Sequence, residues 1–518
     1  MQKLPLDIQT FETMREDNYI YVDKTRYIHD MLDKGRFYFL SRPRRFGKSL
    51  LVSTLRSLFE GKKELFKGLW IADHGEWKKY PVVMFDFNVI PHTPGDFKQG
   101  LERNLRKTAR SNGIRIAEPL LKQQFEELIL ALYQKTGMPV VVLIDEYDKP
   151  IIDYLGKGDT FLETAKENRD ILKSFLGVLK GSDVAPVLRF VFVTGVSKFS
   201  QVSIFSELNN LIDITMSETY AEMMGYTQDE LEKYFKAYIT QFATKLGITE
   251  TEAKLKLKQQ YDGYRFSEKE TNVYNPFSIL RAFGNMKLKN YWFETGTPAF
   301  LVHLLREKKY DLPKIEGLKV SEQIFSMYDL DNLKPEALLF QTGYLTIKNV
   351  KGRLHTLTYP NQEVKTSFLE HLLFSFSQAG SEQETSKFLL LPEYLKAEDF
   401  DAFFETVTAV FASVPYTLNT QRDEAYFHTI FYLMMSASGA DANSEVLTSR
   451  GRIDLVVEYA DKIFIIEFKC NQSAKAGIKQ IKNKGYAEKY IQRGKKIMLM
   501  GINFSSEERN VAEWKFET

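Results

Sequence analysis

The chain has 518 residues, of which 44% are hydrophobic and 27% are charged, with only 16 prolines. This composition excludes collagen-like, low-complexity and largely disordered proteins, and the length predicts about three domains at roughly 150 residues each. Seventy Lys and Arg against 68 Asp and Glu leave a formal charge of +2, which excludes binding of nucleic acid or membranes by overall charge alone.

The cysteine content and the apolar runs predict a location. Cys470 stands alone and cannot form an internal disulfide, and the seven histidines show no metal-ligand spacing. Residues 1–17 lack the basic start and apolar core of a secretory signal, and runs such as 140–144 are far shorter than the ~20 residues that span a bilayer. We therefore expect a cytoplasmic protein with no membrane partner.

Up to about residue 217, short apolar runs alternate with longer stretches of helical periodicity. The runs predict strands that are buried on both faces, at residues 37–40, 82–85, 140–144 and 190–193. Residues 119–135 predict one of the intervening helices. This alternation indicates an α/β domain with a parallel sheet covered by helices.

A phosphate-binding loop is predicted directly after the first strand. Residues 41–49 have the sequence Ser-Arg-Pro-Arg-Arg-Phe-Gly-Lys-Ser and lead into a predicted helix at 50–59. In a P-loop the backbone N–H groups hold phosphates, Lys48 reaches the β- and γ-phosphates and Ser49 binds Mg²⁺. The predicted cofactor-binding residues of this loop are Arg44, Arg45, Gly47, Lys48 and Ser49.

The loop departs from the full P-loop pattern at two positions. Arg42 stands where the first glycine of the motif is expected, and Pro43 removes one N–H donor. An α/β domain with a coincidental loop is therefore the alternative.

Acidic and hydroxyl side chains at the ends of two later strands support the nucleotide site. Asp145 is predicted to hold Mg²⁺ through Ser49 or water, and Glu146 to orient the hydrolytic water. Two carboxylates at the end of a buried strand are costly without a cation. Thr194 follows the fourth strand, where its hydroxyl is predicted to sense the γ-phosphate. ATP and Mg²⁺ are thus the predicted cofactors.

These segments resemble the bacterial AAA-ATPase-like family, in which an arginine at the first glycine position is usual. The resemblance implies an ATPase of the AAA-like P-loop class and covers nearly the whole chain. It rests on Tyr21-Val22-Asp23-Lys24-Thr25, the loop at 42–49, and residues 143–150, 194–199, 261–266, 274–277 and 338–345.

The middle of the chain is predicted to be mainly helical. Residues 227–239 predict an amphipathic helix. A helix at 335–341, followed by strands at 344–350 and 354–359, predicts a winged helix. An ordinary hairpin packed on helices is the alternative, because no basic recognition helix is evident.

A C-terminal hairpin is predicted to sort its charged side chains onto one face. Strands at 451–459 and 463–469 flank the turn at 460–462. If Asp454 lies opposite Lys469, one face collects apolar side chains, while the other gathers Asp454, Glu467 and Lys469. A shift of one residue would place Glu467 on the apolar face, so burial selects the register.

Two carboxylates and a lysine on one sheet face suit metal-assisted phosphodiester hydrolysis. Asp454 and Glu467 are predicted to hold one or two Mg²⁺, while Lys469 stabilises charge or positions the attacking water. A solvated face with an Asp454–Lys469 ion pair is the alternative.

The hairpin resembles the PD-(D/E)XK nuclease superfamily, with Glu467-Phe468-Lys469 as its E-x-K element. The resemblance implies an accessory acid at Glu424, at the start of a helix, and an accessory glutamine at Gln480 on a later helix. Glu445 is a further candidate acid.

A basic segment follows the hairpin. A helix predicted at 472–492 lies within it, and a nucleic-acid backbone or a merely solvated face would both account for its charge. The segment has one acid, Glu488, and nine bases: Lys469, Lys475, Lys479, Lys482, Lys484, Lys489, Arg493, Lys495 and Lys496.

Together these patterns predict three domains: a P-loop AAA-like ATPase at 1–217, a helical and winged-helix region at 218–380, and a PD-(D/E)XK nuclease-like α/β domain at 381–518. ATP would gate cleavage of nucleic acid, with DNA favoured over RNA and a homo-oligomer left open. A role in defence or mobile-element biology follows by analogy only. The alternative is a nucleotide-dependent switch whose C-terminal domain binds nucleic acid or protein without cutting.

Overall fold

The structure is a computed structural model that describes residues 1–198, 210–292, 301–302, 304–305, 312–325, 333–377, 387–413 and 423–518, with residues 308, 310 and 330. It divides into two compact units, residues 1–304 with 319–361 and residues 305–318 with 362–518. The division into three domains stays a prediction. Its boundary at 380 and Phe199 of the 194–199 motif both lie outside the described residues.

The described helices and strands are numbered in chain order. The helices are α1 Phe11–Glu16, α2 Thr25–Lys34, α3 Lys48–Phe59, α4 Phe97–Ser111, α5 Leu121–Thr136, α6 Lys149–Ile152, α7 Asp159–Leu176, α8 Gln228–Tyr234, α9 Lys236–Leu246, α10 Glu250–Tyr261, α11 Pro276–Asn285, α12 Pro335–Gln341, α13 Gln362–Ser377, α14 Leu391–Ala397, α15 Phe400–Ser413, α16 Glu424–Ala437 and α17 Ala474–Asn483. The strands are β1 Phe37–Ser41, β2 Val82–Asp86, β3 Val140–Asp145, β4 Leu188–Gly195, β5 Ile212–Asp213, β6 Lys319–Ser321, β7 Thr346–Lys351, β8 Leu354–Thr358, β9 Ala442–Thr448, β10 Gly451–Glu458, β11 Lys462–Cys470, β12 Lys496–Ser505 and β13 Asn510–Glu517.

A five-stranded parallel sheet forms the centre of the first unit, in the order β2-β3-β4-β1-β5. β1 and β3 are buried along their whole length, as is usual for a parallel sheet covered by helices. The predicted α/β class is confirmed, although the two-residue β5 was not predicted. Because the carboxyl ends of parallel strands share one edge, the loop after β1 and the acids after β3 meet there.

The helix predicted at 227–239 is wrong, because the chain forms α8 and α9 with a break at Phe235. Phe235 leaves helical geometry, at φ −113° and ψ 17°, and buries its ring in an apolar cluster. Its N–H still donates to the carbonyl of Leu231, and its own carbonyl accepts from Ile239. Apolar spacing therefore continues through the break, and periodicity does not reveal it.

A small antiparallel sheet follows α12 in the first unit, in the order β6-β8-β7. The helix at 335–341 and the two predicted strands are present, and β6 adds a third strand that was not predicted. α12 has the sequence Pro-Glu-Ala-Leu-Leu-Phe-Gln and thus has no basic side chain. The winged-helix interpretation stays a prediction.

The second unit contains a mixed sheet in the order β13-β12-β11-β10-β9, antiparallel except for the β11–β12 pair. On one face, rings of α16 pack on the strands, with Phe427 stacked on Phe504 at 4.6 Å and Phe431 on Phe468 at 5.1 Å. On the other face, Ile481 of α17 joins an apolar cluster with residues of β10 and β11. The sheet is therefore buried between helices.

Candidate functional site

A cavity of about 550 Å³ lies at the end of the parallel sheet where the β1 and β3 loops meet, and this volume suits a small-molecule ligand. One wall is polar and the opposite wall is largely apolar. The polar residues include Arg44, Arg45, Gly47, Lys48, Ser49, Asp86 and Glu146, and the apolar residues include Ile8, Tyr226, Phe277 and Leu280.

Lys48 is held by the loop on which it lies. Its Nζ donates to the carbonyl oxygens of Arg42 at 3.1 Å and Pro43 at 3.2 Å, and lies 3.3 Å from Oε1 of Glu146. Gly47, with φ of 86°, immediately precedes α3, so the loop delivers Lys48 at the helix N-terminus. This is the end of a helix at which anions are stabilised.

Asp145 lies beside Ser49 and is only 2% exposed. Its Oδ1 has no hydrogen-bond partner among the described residues. Burial, followed by the charge of Glu146, raises the pKa of Asp145 to about 6, while the Ser49 hydroxyl acts in the opposite direction. A buried carboxylate with an orphaned oxygen next to a hydroxyl is a donor set that fits Mg²⁺.

Thr194 is the one predicted nucleotide residue that the structure does not bring to this cavity. Its side chain is fully buried, and its hydroxyl donates to the carbonyl of Leu40 at 2.8 Å. That bond joins β4 to β1 and turns the hydroxyl into the sheet. Val196, two residues later, lines the cavity.

Sequence reasoning missed two further acids at this edge. Asp86 ends β2 in direct register with Asp145 and lines the cavity. Asp148 is fully buried and accepts hydrogen bonds from the backbone N–H groups of Val196 and Ser197 and from the Ser197 hydroxyl. A polar residue at the end of a predicted strand was the available signal for Asp86. Nothing in the sequence indicated the loop-to-loop role of Asp148.

The register predicted for the C-terminal hairpin is wrong by two residues. Leu455 pairs with Ile466, so Asp454 lies nearest to the level of Glu467 rather than opposite Lys469. The N–H of Tyr459 donates to the carbonyl of Lys462 and closes a tight turn. An even shift preserves the faces, which is why apolar sorting could not distinguish the two registers. The predicted even-numbered loop is present as Ala460-Asp461.

The prediction that one hairpin face is purely apolar and the other charged is incomplete. The face that carries Glu467 also buries Val456, Ile463 and Ile465 against residues of α17. The charged side chains occupy only the end of this face.

Glu467 is the most strongly perturbed carboxyl of this end of the sheet. It is 1% exposed, Oε1 accepts a hydrogen bond from the Gln480 amide, and Lys469 Nζ lies 3.6 Å from the same oxygen. Oε2 is buried and has no hydrogen-bond partner in the part of the chain that the structure describes. Burial and the nearby charge of Asp454 raise the pKa of Glu467 to about 8.

Asp454 and Glu424 approach the same position from β10 and α16. Oδ2 of Asp454 accepts from the N–H of Phe468 at 2.8 Å. Burial raises the pKa of Glu424, with the charge of Lys469 opposing and that of Asp454 reinforcing the shift. Asp423 caps the helix by accepting from the Tyr426 N–H, which places Glu424 in its first turn.

Close packing of α17 on the sheet positions Gln480. A Cβ at Gly477 would lie 3.0 Å from the carbonyl oxygen of Glu467 and 3.2 Å from the Cα of Gly501, so a glycine lets the helix approach. Gln480, three residues later, then reaches Glu467.

Glu445 is engaged elsewhere. It contacts Arg452 and lies 3.6 Å from His428. Over the described residues, no group of three or more His, Cys, Asp or Glu side chains is arranged to hold a metal ion. The pair Asp454 and Glu467 nevertheless fits Mg²⁺, which is usually held by one or two carboxylates and keeps several waters.

The basic segment is shorter as a helix, and less positive, than predicted. α17 ends at Asn483, because Tyr486 turns inward, buries its ring and donates its hydroxyl to the carbonyl of Arg452. Four of the bases pair with acids that are distant in sequence, which a count along the segment cannot detect. The pairs are Lys482 with Glu517, Arg493 and Lys495 with Glu458, and Lys496 with Glu398.

Comparison with known proteins agrees with both sites. Residues 5–205 match the family described as "Predicted AAA-ATPase", and residues 422–514 match the PD-(D/E)XK nuclease superfamily. The fold and the matches define a chain with an AAA-ATPase-like segment followed by a nuclease-superfamily segment.

The chain is also 38% identical, over 532 aligned positions, to the "Uncharacterized protein in vnfD 5'region" of Azotobacter chroococcum mcd 1, covering 100% of this chain and 99% of that protein. It belongs to the family of that protein. A search of the described helices finds none that is both long and apolar enough to cross a membrane.

Proposed function

We propose that the chain binds and hydrolyses ATP in its first unit and cleaves nucleic-acid phosphodiester bonds in its second, with the nucleotide controlling cleavage. The observation that carries the nuclease proposal is the buried Glu467 carboxyl, whose Oε2 lacks a partner within the described part of the chain, beside Asp454 and Lys469. The site has two acids and one base in a space that lacks compensating charge. DNA is the proposed substrate in preference to RNA.

At the nuclease site, Asp454 and Glu467 would hold Mg²⁺. The ion, when bound, polarises the phosphodiester and lowers the pKa of the attacking water. Lys469 lies where its ammonium can stabilise charge that develops on the phosphate or can orient the water. The Gln480 amide fixes the rotamer of Glu467 by donating to Oε1, which leaves Oε2 directed away from that bond.

At the nucleotide site, Ser49 and Asp145 would hold Mg²⁺, which neutralises phosphate charge when bound. Lys48 places its ammonium beside the β- and γ-phosphates, and the backbone N–H groups at the start of α3 bind phosphate oxygens. Glu146 orients the attacking water. It lies 3.3 Å from Lys48, so a phosphate that draws Lys48 away also frees Glu146.

A second candidate function, nucleotide-dependent binding without cleavage, is favoured by one observation. The pairing of Lys482, Arg493, Lys495 and Lys496 with acids reduces the positive charge available to a nucleic-acid backbone. A protein partner would then account for the remaining polar surface.

Cleavage assays on labelled duplex DNA, single-stranded DNA and RNA distinguish the two functions. The wild-type chain should cleave in Mg²⁺ and not in EDTA, and Glu467→Ala should be inactive. Glu458→Gln is the matched control, because Glu458 pairs with Arg493 and Lys495 away from the site. Binding without Mg²⁺-dependent cleavage of any substrate would select the second function.

Isothermal titration with ATP and Mg²⁺ tests the nucleotide site. Lys48→Ala should lose most of its ATP affinity, because this ammonium is the charge placed at the β- and γ-phosphates. Equal affinity in the wild type and the variant would refute the P-loop assignment.

A further inference from the structure

The side chain of Arg42 is buried beneath the phosphate-binding loop and does not line the cavity. It is 1% exposed, and its Nη1 donates to the carbonyl oxygens of Ser41 at 2.9 Å and Thr215 at 2.7 Å. Its Nη2 donates to the carbonyl of Tyr220 at 3.3 Å. The guanidinium carbon lies 4.2 Å from the ring centre of Phe266, in the range of a cation–π contact.

The main chain of the same residue holds Lys48. The Arg42 carbonyl accepts from Lys48 Nζ, as does that of Pro43, and the Arg42 N–H donates to the carbonyl of Gly195 at 3.1 Å. The side chain therefore anchors the loop to residues 215 and 220, while the main chain carries the ammonium of Lys48. A displacement of Arg42 would displace two of the oxygens that position Lys48.

Aromatic residues from the middle region cover the outer side of the loop. Phe46 packs edge-on against Tyr264 at 4.8 Å and against Phe266 at 5.2 Å. Gly343 leaves room for Pro43, because a Cβ there would lie 2.7 Å from the Pro43 Cβ. The loop is thus packed against the conformations of the 264–266 and 343 segments, and Phe266 contacts both Arg42 and Phe46.

We propose that Arg42 is a positioning residue that takes over the structural task of the first P-loop glycine, fixing the loop and thereby the ammonium of Lys48 through its bonds to backbone carbonyls and its stacking on Phe266. This inference rests on the proposed nucleotide function. A glycine at this position permits a tight turn by having no side chain. Here the side chain leaves the phosphate side altogether and stabilises the turn from below.

Lysine is an informative substitution because it preserves the charge and most of the length. An ammonium lacks the planar fork that reaches several carbonyls at once and cannot stack flat on the ring. Arg42→Lys should therefore loosen the loop without leaving a large cavity. Because Lys48 acts on the β- and γ-phosphates, the loss should appear for ATP and not for AMP.

The test measures the affinities for ATP and AMP and the melting temperature of the full chain for the wild type, Arg42→Lys and Phe266→Leu. We expect Arg42→Lys to weaken ATP binding at least tenfold and AMP binding less than twofold. Phe266→Leu retains apolar volume but loses the ring face, and should weaken ATP binding about threefold. Arg36→Lys is the matched control, since Arg36 also donates to a carbonyl, that of Leu188, outside the cavity.

Three results would overturn the inference. Unchanged ATP affinity in Arg42→Lys excludes a positioning role. An equal loss for ATP and AMP with a lower melting temperature assigns Arg42 to general stability. If Arg42→Lys does not fold, Phe266→Leu decides, and its ATP affinity must then fall more than its AMP affinity. A wild-type chain that binds no ATP refutes the nucleotide site itself, which separates that failure from failure of the Arg42 role.

Discussion

The buried carboxyl of Glu467 makes a quantitative prediction about stability and pH. Its pKa is raised from 4.5 to about 8, chiefly by burial and then by Asp454. Between these two values the folded chain binds more protons at this group than the unfolded chain does. The free energy of unfolding should therefore fall as the pH rises from about 4.5 to about 8, and change little from this source at higher pH.

The size of the effect follows from the pKa difference. Since one pKa unit corresponds to about 1.4 kcal/mol, ionising Glu467 costs the folded chain on the order of 3 kcal/mol at pH 7. Glu467→Gln removes the titration, so the metal-free variant should be more stable than the wild type at pH 7 and similar to it near pH 5. For a unit of this size, about 3 kcal/mol corresponds to roughly 6–12 °C in melting temperature.

Mg²⁺ should act in the opposite direction. A metal that binds the folded site at 100 times its Kd stabilises it by about 2.7 kcal/mol, and it needs the ionised carboxylates. Stabilisation by Mg²⁺ should therefore be larger at pH 8 than at pH 5.5 and absent in Glu467→Gln.

Scanning calorimetry from pH 5 to 8, without nucleotide and with either EDTA or Mg²⁺, provides the assay. Asp145→Asn controls for Mg²⁺ bound at the first unit. Glu458→Gln controls for charge removal, because ion pairs with Lys495 and Arg493 lower the pKa of Glu458 and the sign of its pH effect is reversed. Identical pH profiles for the wild type and Glu467→Gln would refute the reasoning.

Two further predictions concern the nucleotide site and the basic segment. Glu146→Gln should bind ATP as the wild type does but hydrolyse it at least tenfold more slowly in a phosphate-release assay, since the amide retains the shape and loses the charge that orients water; equal rates would contradict this role. Reversing Lys479 and Lys484 to Glu should flatten the salt dependence of DNA binding by up to about 0.9 in log–log slope per lost phosphate contact, whereas Lys482→Glu should change it less because Lys482 already pairs with Glu517. Equal slopes in the wild type and the double reversal would assign this segment to a solvated face.

The architecture was predictable where burial acts on continuous runs of sequence. β3 is buried at every residue, and an unbroken apolar run of this length between turn residues indicates a strand covered on both faces. The start of α16 at Glu424 was likewise visible from the sequence. Breaks such as that at Phe235 were not visible, because helical hydrogen bonds and apolar spacing continue across them.

The candidate sites show the same limit. Pattern alone assigned Glu467 to the face of Asp454, but it could not separate registers that differ by two residues. Pairs between distant segments, such as Arg493 with Glu458, depend on the sheet and left no sequence signal. The direction of a side chain is also a tertiary property, and both Arg42 and Thr194 turn into the protein rather than toward the cavity.

Coupling of the two sites is the central claim, and the rate of DNA cleavage in Mg²⁺ with and without ATP tests it most directly. We expect ATP to change the rate for the wild-type chain, Lys48→Ala to cleave at a rate that ATP does not alter, and Glu467→Gln to cleave in neither condition. A wild-type rate that is the same with and without ATP, or a Lys48→Ala chain that responds to ATP as the wild type does, would contradict the coupling.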